Sequence, residues 1–259
     1  MNKAAKSIIL YHRSYRKISG SPETFALEFL LFALPLSVLV VYYLPELTRT
    51  VSRIAQTILA PFFPRDVLTI AHVPYMNMQV FFVDLPSVHP SRIFSAVNAA
   101  VSLVLLVLLP MIKHAKHVFI FLVAVAFIHT VSSLFFTFFP YRFPYQAVDY
   151  SELYVKQQIG IWFFVPIIMG LAILPLPSTV SSKLVTLGAA CCYSVIFGTV
   201  RYVVFLYILT KTTILSMAIL FFVLGPLVDF VYIVGIYSVH VARLAKKMKG
   251  DFASWKWLY

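Results

Sequence analysis

Six long apolar runs, separated by shorter polar segments, dominate the pattern of this chain. They cover residues 25–44, 93–112, 117–139, 158–176, 184–209 and 213–239. Each run is close to the roughly 20 residues that an α-helix needs to cross the hydrocarbon core of a bilayer. The pattern therefore predicts an all-α integral membrane protein, a six-helix transmembrane bundle that forms one domain over 1–259.

Composition excludes two other classes of protein. The chain is 61% hydrophobic and only 12% charged, whereas a soluble domain averages about 45–50% apolar and about 25% charged residues. So few polar side chains cannot cover a surface that faces water. A disordered chain is excluded as well, because disorder requires low hydrophobicity.

The distribution of basic residues predicts the orientation. An even number of spans puts both termini on one side of the membrane. If that side is cytoplasmic, thirteen of the 21 Lys and Arg residues lie inside, seven lie outside, and Arg201 lies within a span. This bias follows the positive-inside rule, so we expect a multi-pass plasma (inner) membrane protein with cytoplasmic termini. Its basic residues then face anionic lipid, and no nucleic acid partner is expected.

The longest segment between spans, 45–92, predicts a cap on the outer side. Over 46–60 the apolar residues recur at helical spacing, which is typical of an amphipathic helix that lies in the interface. We expect Val51, Ile54 and Ile58 to face lipid or protein, and Ser52 and Arg53 to lie on the opposite, exposed side.

A β-hairpin is predicted to follow that helix within the same cap, 46–92. Residues 67–70 and 79–83 favour two short strands, and the residues between them, 74–77, are typical of a turn. Ser91 is then a candidate cap for the helix that re-enters the membrane.

Three ionisable side chains within the spans, His129, Arg201 and Asp229, are the first candidates for function, because such groups are costly in a membrane. At a rise of 1.5 Å per residue, His129 and Arg201 lie roughly 15 and 12 Å below the outer face, whereas Asp229 lies roughly 24 Å below it. We therefore expect His129 and Arg201 to share a cavity that opens outward, and we do not expect Arg201 to reach Asp229. The alternative is that Arg201 snorkels outward and His129 makes one interhelical hydrogen bond.

The predicted cavity draws on polar groups from several helices and from the second outer loop, 140–157. Its expected lining residues are Asn98, His129, Ser133, Gln158, Arg201 and Arg142. An anion such as a phosphate or a carboxylate would fit the planar fork of an arginine. An anionic lipid or a glycan at the outer face is therefore a possible ligand.

No complete catalytic motif occurs in the chain. His114 and His117 are three residues apart, but no acidic ligand accompanies them and Lys116 lies between them, so we expect neither a metal nor a cofactor. Any catalytic residue is unknown, and the candidates are His129, Arg201 and His89. The adjacent Cys191 and Cys192 are expected to be small buried residues without a disulfide.

The outer segment also resembles part of a known family. The order of elements predicted over Leu47–Leu105 is an outer amphipathic helix, a short extended hairpin and a helix entered through a polar turn. This order is similar to that of the exosortase/archaeosortase membrane transpeptidases. The matching places in this chain are Leu59-Ala60-Pro61-Phe62 and Val80-Phe81-Phe82-Val83-Asp84-Leu85-Pro86. The resemblance implies that Arg201 takes the place of the family's arginine. The family's nucleophilic cysteine is absent, since this chain has Val88-His89-Pro90-Ser91-Arg92 there. The resemblance therefore implies a member without the thiol chemistry.

These observations favour a non-catalytic integral membrane subunit of a larger cell-envelope assembly, whose partners are membrane lipids and other membrane protein subunits. One alternative is an exosortase-like membrane-embedded transferase or transpeptidase that acts at the outer leaflet. A small transporter is the other alternative.

The orientation can be tested with reporter fusions at Lys17 and Lys249. Because both positions are predicted to be cytoplasmic, a reporter that is active only inside the cell should be active at both. A fusion at Lys249 that is active only outside would show that one span has been miscounted.

Overall fold

Six helices of the described chain are long and apolar enough to cross a membrane. The structure is a computed structural model, and it describes residues 16–17, 22–64, 67–111, 116–247 and 256–257. The six candidate spans are Pro22–Tyr42, Arg92–Met111, Ile120–Phe138, Ala147–Ile173, Val180–Lys211 and Ile214–Lys246. The predicted helical bundle with six apolar spans is confirmed at this level.

The spans are built from helices of unequal regularity. The α-helices are α1 (Pro22–Glu28), α2 (Leu34–Tyr42), α3 (Leu44–Leu59), α4 (Arg92–Leu108), α5 (Lys116–Phe138), α6 (Ala147–Ile173), α7 (Val180–Lys211) and α8 (Pro226–Lys247). Short 3₁₀ turns follow α3 at Ala60–Phe62 and α4 at Leu109–Met111. A π-helical segment, Phe29–Ala33, joins α1 to α2 within the first span.

The last span is interrupted before α8 begins. It opens with a 3₁₀ turn, Ile214–Ser216, and continues through a π-helical segment, Ile219–Val223. Leu224 and Gly225 then form a bend, and Pro226 starts α8. The carbonyl of Phe221 occupies the place where a Cβ at residue 225 would stand. Only glycine fits the backbone at this bend.

The fourth span starts 11 residues earlier than its hydrophobicity predicts. Helix α6 begins at Ala147, so most of the stretch taken as the outer loop 140–157 is helical. A capping box fixes this start, because the Gln146 side chain binds a backbone N–H of the first turn and Asp149 accepts from the Gln146 N–H. The polar first turns of α6 concealed the helix from a search for apolar runs.

The β-hairpin predicted after the outer helix is confirmed. Strands β2 (Thr69–Tyr75) and β3 (Met78–Asp84) pair antiparallel, and both turn residues, Met76 and Asn77, have positive φ. Two such residues are the signature of the two-residue turn that matches the twist of a hairpin. Ser91 caps α4 as expected, since its Oγ accepts from Phe94 N–H.

A second pairing brings the two ends of the described chain together. Strand β1 (Arg16–Lys17) pairs antiparallel with β4 (Lys256–Trp257). This pairing agrees with an even number of spans.

Helix α3 forms where the amphipathic helix is predicted, but its buried face differs from the expected one. Ser52 is fully buried, and its hydroxyl donates to the carbonyl of Phe81 on β3 over 2.9 Å. Ile54 and Ile58 are exposed, at 42% and 49%. The placement of Ser52 on the exposed side was wrong, because its hydroxyl satisfies a strand carbonyl that has no partner in the sheet.

The main core lies where the hairpin and α3 meet the first part of α6 and the last part of α7. It contains Val80 and Phe82 of β3, Tyr154 and Trp162 of α6, and Tyr202 of α7, all buried. A smaller core includes Met169, in the second half of α6, and Leu187, in the first half of α7. Helices α6 and α7 are thus central, and the hairpin is part of the packed structure instead of an appendage.

The two adjacent cysteines do not share the burial predicted for them. Both are free thiols, and Cys191 is half-buried against the smaller core. Cys192 is exposed. The prediction was wrong for Cys192, because neighbouring residues on a helix point about 100° apart and only one of the two can face the interior.

Cysteine labelling tests the orientation of α3. In a background with Cys191→Ala and Cys192→Ala, Arg53→Cys should react with a maleimide in folded protein, and Ser52→Cys should react only after unfolding. The contrast arises because Arg53 is exposed and Ser52 lies under β3. Equal rates at both positions would show that α3 does not pack on the hairpin.

Candidate functional site

A buried arginine joins three helices in the interior of the bundle. The guanidinium of Arg201 on α7 donates to the hydroxyl of Tyr154 at 2.8 Å and to Gln158 Oε1 at 2.8 Å, both on α6. It also donates to the carbonyl of Gly225 at 2.9 Å and to Asp229 Oδ2 at 2.6 Å. These bonds can occupy four of its five N–H donors. Arg201 is 6% exposed, so it is neutralised inside the protein and does not snorkel.

The ion pair between Arg201 and Asp229 corrects a sequence prediction. The depth estimate assumed a regular helix from residue 213, but α8 begins only at Pro226, beyond a π-helical segment and a bend. In addition, α7 extends to Lys211, two residues past its predicted end. The difference in depth between Arg201 and Asp229 is therefore smaller than the difference calculated from a uniform helical rise. The side chain of Arg201 is long enough to span it.

Aromatic rings enclose the guanidinium on two sides. Its central carbon lies 5.5 Å from the ring centroid of Tyr154 and 5.6 Å from that of Phe197. The Tyr154 hydroxyl accepts from Arg201 Nε and donates to the carbonyl of Gly198 at 2.9 Å. Tyr154 is thereby held in one orientation between α6 and α7.

A second network ties the hairpin to the helices beside Arg201. Tyr202 Oη accepts from Val83 N–H at 2.9 Å, and Ser151 Oγ donates to the Val83 carbonyl at 2.6 Å. Because the hydroxyl proton of Ser151 is used in the bond to the Val83 carbonyl, Tyr202 must be the donor in the 2.6 Å hydrogen bond between the two hydroxyl groups. The ring of Tyr202 stacks on Tyr154 with centroids 5.1 Å apart. Strand β3 is thus held by Tyr202, the residue that follows Arg201 in the sequence.

His129 belongs to a different network from Arg201. His129 Nε2 on α5 lies 3.2 Å from Asn98 Oδ1 on α4, so these two predicted cavity residues do meet. The guanidinium of Arg201 does not bond to His129, because its described hydrogen bonds go to α6, α8 and the Gly225 carbonyl. His129 Nδ1 and the buried Ser133 Oγ, one turn apart, have no hydrogen-bond partner among the described residues. A common cavity for His129 and Arg201 stays a prediction.

The remaining candidates lie outside these networks. His89 is exposed on the segment between β3 and α4. Arg142 is exposed, with its guanidinium 5.7 Å from the Phe139 ring. Gln158 is the one predicted lining residue that binds Arg201 directly. His114 and the side chain of His117 lie outside the described residues.

A second buried ion pair lies near the opposite end of α7. Lys183 Nζ donates to Glu28 Oε2 at 2.6 Å and to the carbonyl of Leu174 at 2.7 Å. Lys183 is 18 residues from Arg201, which corresponds to about 27 Å along a helix. This pair was missed because both residues were assigned to the ends of spans, where charges are expected to face water.

Sequence reasoning also missed the polar face of α6. Tyr150, Tyr154 and Gln158 recur every four residues, with Ser151 beside them, and all four are buried. This spacing puts them on one side of a helix. The signal was present in the sequence, but it fell partly in the stretch assigned to a loop.

The site is built around a cation that is paired and largely hydrogen-bonded within the protein. Most donors of Arg201 are used by the protein itself, and Asp229 compensates its charge. Within the described residues no group of three His, Cys, Asp or Glu side chains could hold a metal ion.

No protein family model, curated protein or solved structure matches this chain. The site must therefore be interpreted from its own geometry.

Removal of the Tyr202 hydroxyl tests the link between hairpin and bundle. Tyr202→Phe leaves Val83 N–H buried without its acceptor, which should cost about 1–3 kcal/mol of unfolding free energy. Thermal unfolding in detergent should show a lower Tm for this variant than for the control Tyr207→Phe, since Tyr207 is 38% exposed. Equal Tm values would mean that the hairpin is held by other contacts.

Proposed function

We propose that this protein is a non-catalytic subunit of a larger cell-envelope assembly in the plasma (inner) membrane, with both termini cytoplasmic and the hairpin on the outer side. The observation that carries the proposal is the state of Arg201. Its guanidinium is bound by Tyr154, Gln158, Gly225 and Asp229 of the same chain. Such an arginine acts as a crosslink between helices.

The energetics of a buried charge support this role. A guanidinium within an apolar bundle is tolerated only when its charge is paired and its donors are satisfied. The network pairs the charge with Asp229 and occupies four of the five donors with groups from α6, α8 and the bend at Gly225, and it thereby links three helices. An arginine that binds a substrate would keep several donors directed at the ligand.

The surfaces of α4 and α5 support membership in an assembly. The two helices pack against each other, but α4 leaves large apolar side chains exposed along much of its length, including Ile93, Val97, Val101 and Val107. In a membrane these side chains contact lipid or the helices of other subunits. We infer that lipids and membrane protein subunits are the partners of this surface.

An exosortase-like transferase is the second candidate, because one observation favours it. The hairpin is anchored through Tyr202 directly beside Arg201, so the extramembrane cap and the intramembrane arginine form one unit. In that case Arg201 would have to exchange Asp229 or Gln158 for a substrate group at the outer leaflet. The two candidates therefore differ in what Arg201 must do.

A double-mutant cycle separates a structural arginine from a reactive one. Arg201→Met or Asp229→Leu alone leaves one buried charge unpaired and should cost about 3–5 kcal/mol, whereas the double variant removes both charges and should be close to the wild type. Thermal unfolding in detergent measures the stabilities. Blue-native electrophoresis of solubilised membranes measures whether the protein still migrates in a complex.

For a structural subunit, the double variant should recover both its stability and its place in a complex larger than the monomer. The matched control is Lys156→Met, which removes a partly exposed cation paired with Glu152 and should change Tm little. A wild-type protein that migrates alone would contradict the proposal. So would a stable double variant that reproduces the phenotype of a gene deletion, because that result would assign Arg201 a reactive role.

A further inference from the structure

The hairpin has one saturated edge and one open edge. On β3, Phe81 N–H donates to Thr48 Oγ1 and the Phe81 carbonyl accepts from Ser52. The backbone groups of Val83 are bound by Tyr202 and Ser151. Because these groups point away from β2, Phe81 and Val83 occupy the positions of an antiparallel ladder that do not bond across the pair.

The register then defines the free edge of β2. Phe81 lies opposite His72, and Val83 lies opposite Ile70. In such pairs both residues direct their N–H and C=O groups away from each other. His72 and Ile70 therefore present these groups at the outer edge of β2, where no described residue bonds to them.

Pro74 agrees with this assignment. It lies opposite Gln79, so its nitrogen faces the same outer edge as those of Ile70 and His72. A proline inside a strand is tolerated where its nitrogen is not needed by the ladder. The free edge thus consists of two N–H donors and three carbonyl acceptors at alternate residues, a pattern that an extended backbone satisfies.

A groove runs beside the start of this edge. It has a volume of about 680 Å³, and among the described residues it is lined by Gln56, Thr57, Ala60, Pro64, Leu68, Thr69 and Ile70. Gln56 Nε2 donates to the carbonyl of Leu68 at 2.7 Å, which fixes α3 relative to the strand. The groove has room for the side chains of a segment that lies along β2.

Three exposed cations, Arg49, Arg53 and Lys211, lie around the hairpin, and the acidic residue of the hairpin itself is Asp84 at the end of β3. Arg49 lies 4.4 Å from the ring centroid of Phe81, and Arg53 is exposed one turn further along α3. Lys211 donates to the carbonyl of Phe62, at the end of α3 that borders the groove. None of these three cations forms an ion pair with a described carboxylate.

We propose that the free edge of β2 binds an extended acidic segment of a partner protein, which adds to the hairpin as a third strand. Strand addition supplies the donors and acceptors that Ile70 and His72 need, and acidic side chains complement Arg49, Arg53 and Lys211. A second copy of this chain is a poorer occupant, since it would bring the same cations together. The proposal specifies a contact for the assembly proposed above and relies on that assembly for the source of the segment.

A defined peptide tests the edge itself. The probe is a fluorescein-labelled seven-residue peptide of alternating glutamate and valine, titrated against the full chain in phosphatidylcholine nanodiscs. We expect saturable binding by fluorescence anisotropy. His72→Pro removes one outward N–H without touching the ladder, so it should weaken binding about 3- to 10-fold relative to the matched control His72→Ala.

Two further comparisons separate strand addition from charge attraction. The same peptide with N-methyl groups on all of its amides should lose binding, because neither of its two edges can then donate to the carbonyl groups of β2. A peptide of alternating lysine and valine should bind more weakly, and Arg53→Glu should weaken the glutamate peptide. Unchanged Tm values for His72→Pro and Arg53→Glu would show that both variants are folded.

Several results would overturn the proposal. One is no binding of the glutamate peptide, and another is equal binding of its N-methylated form. Competition by phosphatidylserine in the discs, with equal binding by His72→Pro, would assign the cations to lipid head groups. A dimer that His72→Pro dissociates, without peptide binding, would assign the edge to a second copy. These results do not depend on the Arg201 and Asp229 cycle, so failure of either proposal can be recognised separately.

Discussion

The structure depends on how one buried positive charge is satisfied. A guanidinium in an apolar interior costs several kcal/mol unless it is paired and its donors are bonded. Arg201 on α7 meets this requirement only if Tyr154 and Gln158 of α6 and Asp229 of α8 converge on it. Hydrophobic contacts between helices are tolerant of small shifts, whereas these bonds are not. The network therefore sets the register of α6, α7 and α8.

The same rule governs the hairpin that covers this part of the bundle. Each backbone group of Phe81 and Val83 at the inner edge of β3 finds a side-chain partner on α3, α6 or α7. These partners are short hydroxyl side chains or a tyrosine, because such groups reach a strand edge without introducing charge. No described residue bonds to the outward backbone groups of Ile70 and His72 on β2. This contrast between the two edges is the basis of our proposal that another chain adds at β2.

Much of the fold follows from local patterns, and the errors have physical causes. Apolar runs of about 20 residues predict the spans, and the turn before Met78 predicts the hairpin. The pairing of Arg201 with Asp229 was not predicted, because a uniform helical rise ignores the bend at Gly225. The polar face of α6 was missed because it precedes the apolar run. Hydrophobicity locates the helices, but hydrogen bonds between distant residues decide which polar side chains meet.

The anchoring of β3 also bears on how a partner would bind. A strand that adds to a mobile hairpin must order both segments, and each ordered residue costs conformational entropy. Here β3 is held through Thr48, Ser52, Ser151 and Tyr202 before any partner arrives, and β2 is held by β3. The entropic cost then falls mainly on the incoming segment, which increases its affinity for a given set of contacts. The buried networks that stabilise the bundle thereby preorganise the edge of β2 to which no described residue bonds.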